Sequence, residues 1–316
     1  MQSPPVPNLI RALVAVSILG LAGCDLLNTS APGPMAAPRM AEPAPASPPS
    51  PESEALRAYY TRVQTGLLSQ GLLRTDGGKR DAPVSDRILA QNFIRIAAFD
   101  EYASTANGPV QSETSSTIRR WTGPVRIGLR FGASVTLAMR AADTARIGAL
   151  VAQLARATRH PIRIDNGNPN FIVNIVDENE RQRIGPAASA ALPGLSGPEM
   201  AGITNMPRST YCLVYAQSDA RSTYTRAFAV IRAEHPDLLR LSCLHEEIAQ
   251  GLGLANDSPQ ARPSIFNDNE EFALLTPQDE LMLRILYDPR LKPGMTADQA
   301  RPIVEALATQ LTGGES

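Results

Sequence analysis

Histidine, cysteine and lysine are scarce in this 316-residue chain: three His (His160, His235, His245), three Cys (Cys24, Cys212, Cys243) and two Lys (Lys79, Lys292). Each shortage narrows the chemistry. A zinc centre or a thiol nucleophile must draw on that short list, and a catalytic lysine would have to be one of two residues. No Gly-rich string has Rossmann or P-loop spacing, and Ser242 and Ser264 lie outside any G-x-S-x-G context. Thirty basic residues against 31 acidic ones leave a net charge of −1. The basic footprint of a nucleic-acid binder is therefore absent, and no nucleic-acid partner is expected. With 43% hydrophobic residues the chain is apolar enough for one large core or two small ones.

What is present begins with a targeting pattern. Arg11 precedes twelve apolar or small residues (12–23), too short for an ordinary spanning helix of about 20 residues. The run ends in Leu21-Ala22-Gly23-Cys24, which looks like a bacterial lipobox. The resemblance implies a signal peptide over 1–23, with Cys24 carrying lipid (palmitate) and becoming the first residue of the mature lipoprotein. Residues 31–52 hold eight Pro and little bulky apolar surface, so they cannot offset their ordering entropy. We read 24–53 as a lipidated Cys followed by a Pro-rich tether. The expected location is the cell envelope, anchored in the inner or outer membrane and facing the periplasm. In that oxidising compartment the remaining pair, Cys212 and Cys243, is expected to form a disulfide; two separately buried thiols are the alternative.

From residue 54 the texture is globular. Helical spacing over 54–75 ends at the turn Asp76-Gly77-Gly78, and a second helix is expected from the N-cap Ser85 to about Tyr102, giving a helical hairpin over 54–104. Val125, Ile127, Leu129 and Phe131 alternate as a half-buried strand, and 143–158 reads as a helix. Residues 171–176 (FIVNIV) are apolar on both faces, like a central strand. A Gly-, Pro- and Ala-rich loop is expected over 178–208, strands over 210–216 and 224–232, and a long helix over 236–252. Helices near 276–287 and 296–311 follow. The fold class is α/β (α+β), in a domain spanning 117–312.

The chemistry concentrates in residues 243–268. His245-Glu246 opens like HExxH, but the residue four after His245 is Ala249, so two ligands do not project from one helix face. One residue on, Glu246, Glu247, Gln250, Gly253 and Asn256 stand at positions 0, 1, 4, 7 and 10. That spacing resembles the metzincin pattern HExxHxxGxxH with Glu, Gln and Asn at its ligand positions. Leu252-Gly253-Leu254 resembles the segment after the second ligand, and Ser264-Ile265-Phe266 sits where metzincins carry the Met-turn, with Phe266 in place of Met. The resemblance implies a metzincin-like twisted sheet with a long active-site-type helix. The secreted part also resembles an uncharacterised family of proteobacterial lipoproteins, domain of unknown function 2927. The resemblance rests on Gly71 to Asp76, the HEExxQxLGLxND string from His245 to Asp257, Ser264 to Asp268, and Leu286 to Leu291.

An EE pair alone is a solvated helix face; the simultaneous fit of five positions lifts this one. One carboxylate and two amides form a poor donor set for zinc, so no cofactor is expected, although the hard oxygen set does not bar some other divalent metal. Asp257 or Asp268, turned inward, would raise the charge of that set. His245 lies about 100° around the helix from Glu246 and is expected to pack beside the cleft. Two functions follow. One is a non-catalytic module that binds an envelope protein, peptide or other envelope component. The other is a peptidase-like hydrolase with metal at Glu246, Gln250 and Asn256, and Glu247 as general base.

Overall fold

A computed structural model describes residues 48–313 other than 79, 80, 106, 107 and 268; over 101–113 it describes the backbone alone. The expected signal segment, Cys24 and the tether up to residue 47 lie outside the described residues, as does Asp268 of the Ser264 string.

The centre is a five-stranded sheet ordered β4-β3-β5-β7-β6. Its strands are β3 (Val125–Phe131), β4 (Ile162–Ile164), β5 (Phe171–Val176), β6 (Cys212–Ser218) and β7 (Tyr224–Arg232). β3, β4, β5 and β7 are mutually parallel, while β6 runs antiparallel to β7 at the edge. The two-residue side-chain period divides this sheet between two cores. Phe171, Val173, Ile175, Ala227, Ala229 and Ile231 face the main core, whereas Val176, Phe228 and Val230 face a second, smaller one. The main core is closed by α3 (Leu137–Thr158), α7 (Asp237–Gln250) and α8 (Pro277–Leu286). FIVNIV is thus a central strand buried on both faces, and its one polar residue, Asn174, donates to the Ala229 carbonyl at 2.9 Å.

Three sequence expectations need correction. The Gly-, Pro- and Ala-rich stretch after β5 holds three short helices: α4 (Glu178–Gln182), α5 (Gly185–Ala191) and α6 (Gly197–Thr204). Two of them open with capping boxes, Asp177 with Glu180 and Ser196 with Glu199, which satisfy their first N–H groups. The second helix, α2 (Asp86–Ala97), stops early. Phe99–Thr105 (β1) instead pairs antiparallel with Gly108–Ser115 (β2). Finally, α1 (Pro51–Ser69) and α2 do not form a helical hairpin of their own. α1 packs on α4 and on Leu239 of α7, while α2 packs against α8 and the last helix, α9 (Ala297–Thr312). Amphipathic spacing specifies that a face is buried, not against what.

The mixed α/β class is as expected, with a mostly parallel sheet. Cys212 and Cys243 are joined in a disulfide that ties the first residue of β6 to the middle of α7.

Candidate functional site

α7 carries most of the motif, and its two ends are fixed by other parts of the chain. Its N-cap position is Pro236, which supplies no side-chain cap. The exposed N–H of Leu239 is taken instead by Gln64 Oε1 of α1 at 3.0 Å. One turn in, Arg240 is buried and donates to Asp143 of α3 at 2.8 Å and to the His235 carbonyl at 2.7 Å. This ion pair is almost wholly removed from water, and the part-exposed Arg146 and exposed Asp237 add a further partner to each side.

At the far end, the glycines of the Leu252-Gly253-Leu254 triplet and its approach are required by space. Trp121 Nε1 donates to the Gly251 carbonyl at 2.8 Å, and the Tyr287 hydroxyl donates to the Leu252 carbonyl at 3.0 Å. A Cβ on Gly251 would lie 2.4 Å from the Phe171 ring. Gly253 has φ +125°, and a Cβ there would lie 2.2 Å from the Arg119 carbonyl oxygen. The chain reverses here because no other residue fits both the dihedral and the gap.

After this reversal Asn256 is buried and committed to the end of α2. Its backbone N–H donates to the Ile96 carbonyl at 3.0 Å, and its amide donates to the Arg95 carbonyl at 2.8 Å. Gln250 is half-buried and donates to Asp257 Oδ1 at 3.2 Å. Glu247 is buried and Glu246 half-buried; their carboxylate oxygens and Cys212 Sγ all lie within 4.8 Å of one another. The Cys212 sulfur is already spent in the disulfide. His245 faces the loop after the motif, where its Nδ1 accepts the Leu275 N–H at 3.2 Å. Burial pushes its pKa down to about 4, so the ring is neutral at ordinary pH.

The loop that follows is held by one carboxyl group. Asp279, in the first turn of α8, accepts from Ser264 Oγ (2.5 Å), Ile265 N (3.2 Å), and Thr276 N and Oγ1 (2.8 and 2.9 Å). Burial outweighs these four donors and lifts the Asp279 pKa from its usual 3.8 to about 6. Phe266 is fully buried, and its carbonyl accepts the Ser258 N–H at 2.9 Å, closing the loop on itself. In front of this loop Arg74 bridges Asp76, Asp81 and Glu271, and lies over the Phe272 ring. Gln64, Asp143 and Arg240 lie outside the sequence motif, and no local pattern marks them. Asp279 has one signal, the Thr276-x-x-Asp279 capping-box spacing.

The donor chemistry can now be tested against a metal. Asn256 and Gln250 have their amide nitrogens engaged, on Arg95 and Asp257, and each could offer only a neutral amide oxygen; His245 Nδ1 is taken by the Leu275 N–H, and Cys212 is a disulfide sulfur. What remains is a carboxylate pair with neutral amide oxygens, a set that zinc does not favour.

Fold and site together define a mixed α/β domain with a carboxylate pair on the helix that follows β7, the strand beside the antiparallel edge strand. Residues 86–306 match the model of a family described as a protein of unknown function, DUF2927, and the chain belongs to that family. No curated protein and no solved structure matches the chain.

Proposed function

We propose that the protein is a lipid-anchored envelope protein whose metzincin-like domain binds an extended peptide or other envelope component without cutting it. The carrying observation is the position of β6, which is half-buried along most of its length, lies at the edge of the sheet and is fastened by Cys212 beside Glu246 and Glu247 of α7. A sheet edge offers a row of backbone groups to an incoming extended chain. The element order supports the metzincin-like reading: strand, helix, strands, then a strand directly before the long helix. The non-catalytic reading is supported by the neutral amides at Gln250 and Asn256, and by His245, which is neutral and whose Nδ1 is taken by the Leu275 N–H. Without an imidazole set to hold a metal, Glu247 has no metal-bound water to activate. Lipid anchoring is supported by Leu21-Ala22-Gly23-Cys24 and by the start of α1 at Pro51, where the Pro-rich stretch ends.

The test is a binding screen of the full chain against soluble envelope peptides, with the ligand recovered and weighed by mass spectrometry. The expected result is retention of intact peptide, weakened by Val214→Pro in β6. Cleavage that disappears in Glu247→Gln would establish the hydrolase instead. Labelled palmitate should enter the wild-type chain and not Cys24→Ser.

A further inference from the structure

α1 is attached differently from every other long helix. Only Ser53 and Tyr60 of its 19 residues are buried. Its apolar contacts form a separate small cluster with Leu73, Leu239 and Ala273. Both buried residues cover the end of β7. Ser53 Oγ donates to Glu234 Oε1 at 2.7 Å, and the Tyr60 ring stands edge-on to His235 with centroids 4.4 Å apart. Beneath them, Glu234 Oε2 and His235 Nε2 are buried and have no hydrogen-bond partner among the described residues. Each such atom costs about 1–3 kcal/mol, and each would be hydrated if α1 rose. At its far end α1 gives way to a turn segment in which Gly71, Leu73, Gly77 and Gly78 all have positive φ (76°, 55°, 67° and 71°), anchored at Leu73 and Arg74 by their N–H groups on Glu270 and Glu271.

We propose that α1 is a hinged lid over the carboxyl end of β7 that lifts in acid. The geometry assigns His235 as the trigger. Its ring faces Tyr60 of α1, Tyr211 before β6, Arg232 of β7, and Arg240 and Cys243 of α7, with Nδ1 3.7 Å from Cys243 Sγ. Burial first, then the Arg232 and Arg240 guanidiniums, hold its pKa well below the usual 6.5. Those guanidiniums are paired with Glu178, and with Asp143 and Asp237. The open state hydrates the ring and raises its pKa back toward the usual 6.5, against the Arg232 and Arg240 guanidiniums that stay beside it, so it binds a proton that the closed state refuses. Closure is therefore favoured above that pH and lost below it. The opening constant rises by up to about tenfold between pH 7.5 and 5.5.

Glu234 works the other way. Burial raises its pKa in spite of Ser53, the Glu178 N–H and Arg232, so acid favours its closed form. Glu234→Gln removes this opposition and isolates the histidine. Opening withdraws Gln64 from Leu239 and Tyr60 from Tyr211, baring the start of α7 and the residue before β6. The lid stands whether or not the cleft binds a peptide.

Hydrogen exchange of the full chain by mass spectrometry, corrected for intrinsic rates at pH 7.5 and 5.5, tests it. In Glu234→Gln, protection over 55–68 should fall on acidification relative to β5, by up to about tenfold, and in wild type by no more than in that variant. In His235→Phe, or His235→Gln if the first variant misfolds, the fall should vanish. Parallel changes in α1 and β5, or a fall that survives both histidine substitutions, would overturn the proposal.

Discussion

Asp279→Asn is the sharpest probe of how the site loop is held. The wild-type carboxyl group is fully buried under four donors, and its pKa rises from 3.8 to about 6 on folding. A group with a raised folded-state pKa holds its proton more tightly in the native chain. Its contribution to stability is complete below the unfolded value and is lost as pH rises through the folded one. Between pH 4 and pH 7 the integrated loss is about 2–3 kcal/mol. Other groups titrate over the same range, so the informative quantity is the difference between wild type and Asp279→Asn, whose amide does not titrate. Urea unfolding at pH 4, 5, 6 and 7 should show wild type losing that amount relative to the variant as pH rises. A difference that is the same at every pH would refute the assignment of this carboxyl as buried and desolvated.

Replacing Cys212 and Cys243 together by Ser opens a loop closed across 31 residues and should remove about 3–4 kcal/mol in denaturant melts, in the chain-entropy account. Asp143→Asn leaves the buried Arg240 guanidinium with only the exposed Asp237 carboxylate and should cost at most about 3–5 kcal/mol, read by thermal unfolding. Gly253→Ala forces a Cβ against the Arg119 carbonyl at a left-handed dihedral, and should destabilise by more than about 2 kcal/mol, whereas Gly66→Ala in α1, with open space around it, should not.

The periodic segments were readable because periodicity is a local property. β3, β5 and β7 announce themselves by β-branched and aromatic runs, and α7 by its apolar stripe over a motif. The cysteine pair was legible from composition and the expected compartment. Three things were not. The turn from α2 into β1 carries no Gly or Pro, only Ala97-Ala98-Phe99, and Leu89, Phe93 and Ile96 suggest a helix that the chain ends at Ala97. The helices α4, α5 and α6 lie in a stretch whose Gly, Pro and Ala content reads as loop, although Asp177 with Glu180 and Ser196 with Glu199 mark two of their starts. The partners that fix the site, Gln64 to Leu239 and Asp143 to Arg240, are separated by 175 and 97 residues and leave no pattern in either segment. Within the site, the spacing of Glu246, Gln250 and Asn256 was visible, but not that Asn256 spends its amide on α2.

The account rests most directly on what an extended peptide does at β6. Amide exchange over 212–218 of the full chain, measured with and without a peptide recovered from the binding screen, decides it. Slower exchange along β6 with the peptide returned intact is the predicted result. A cleaved peptide, or protection confined to segments away from β6 and α7, would contradict it.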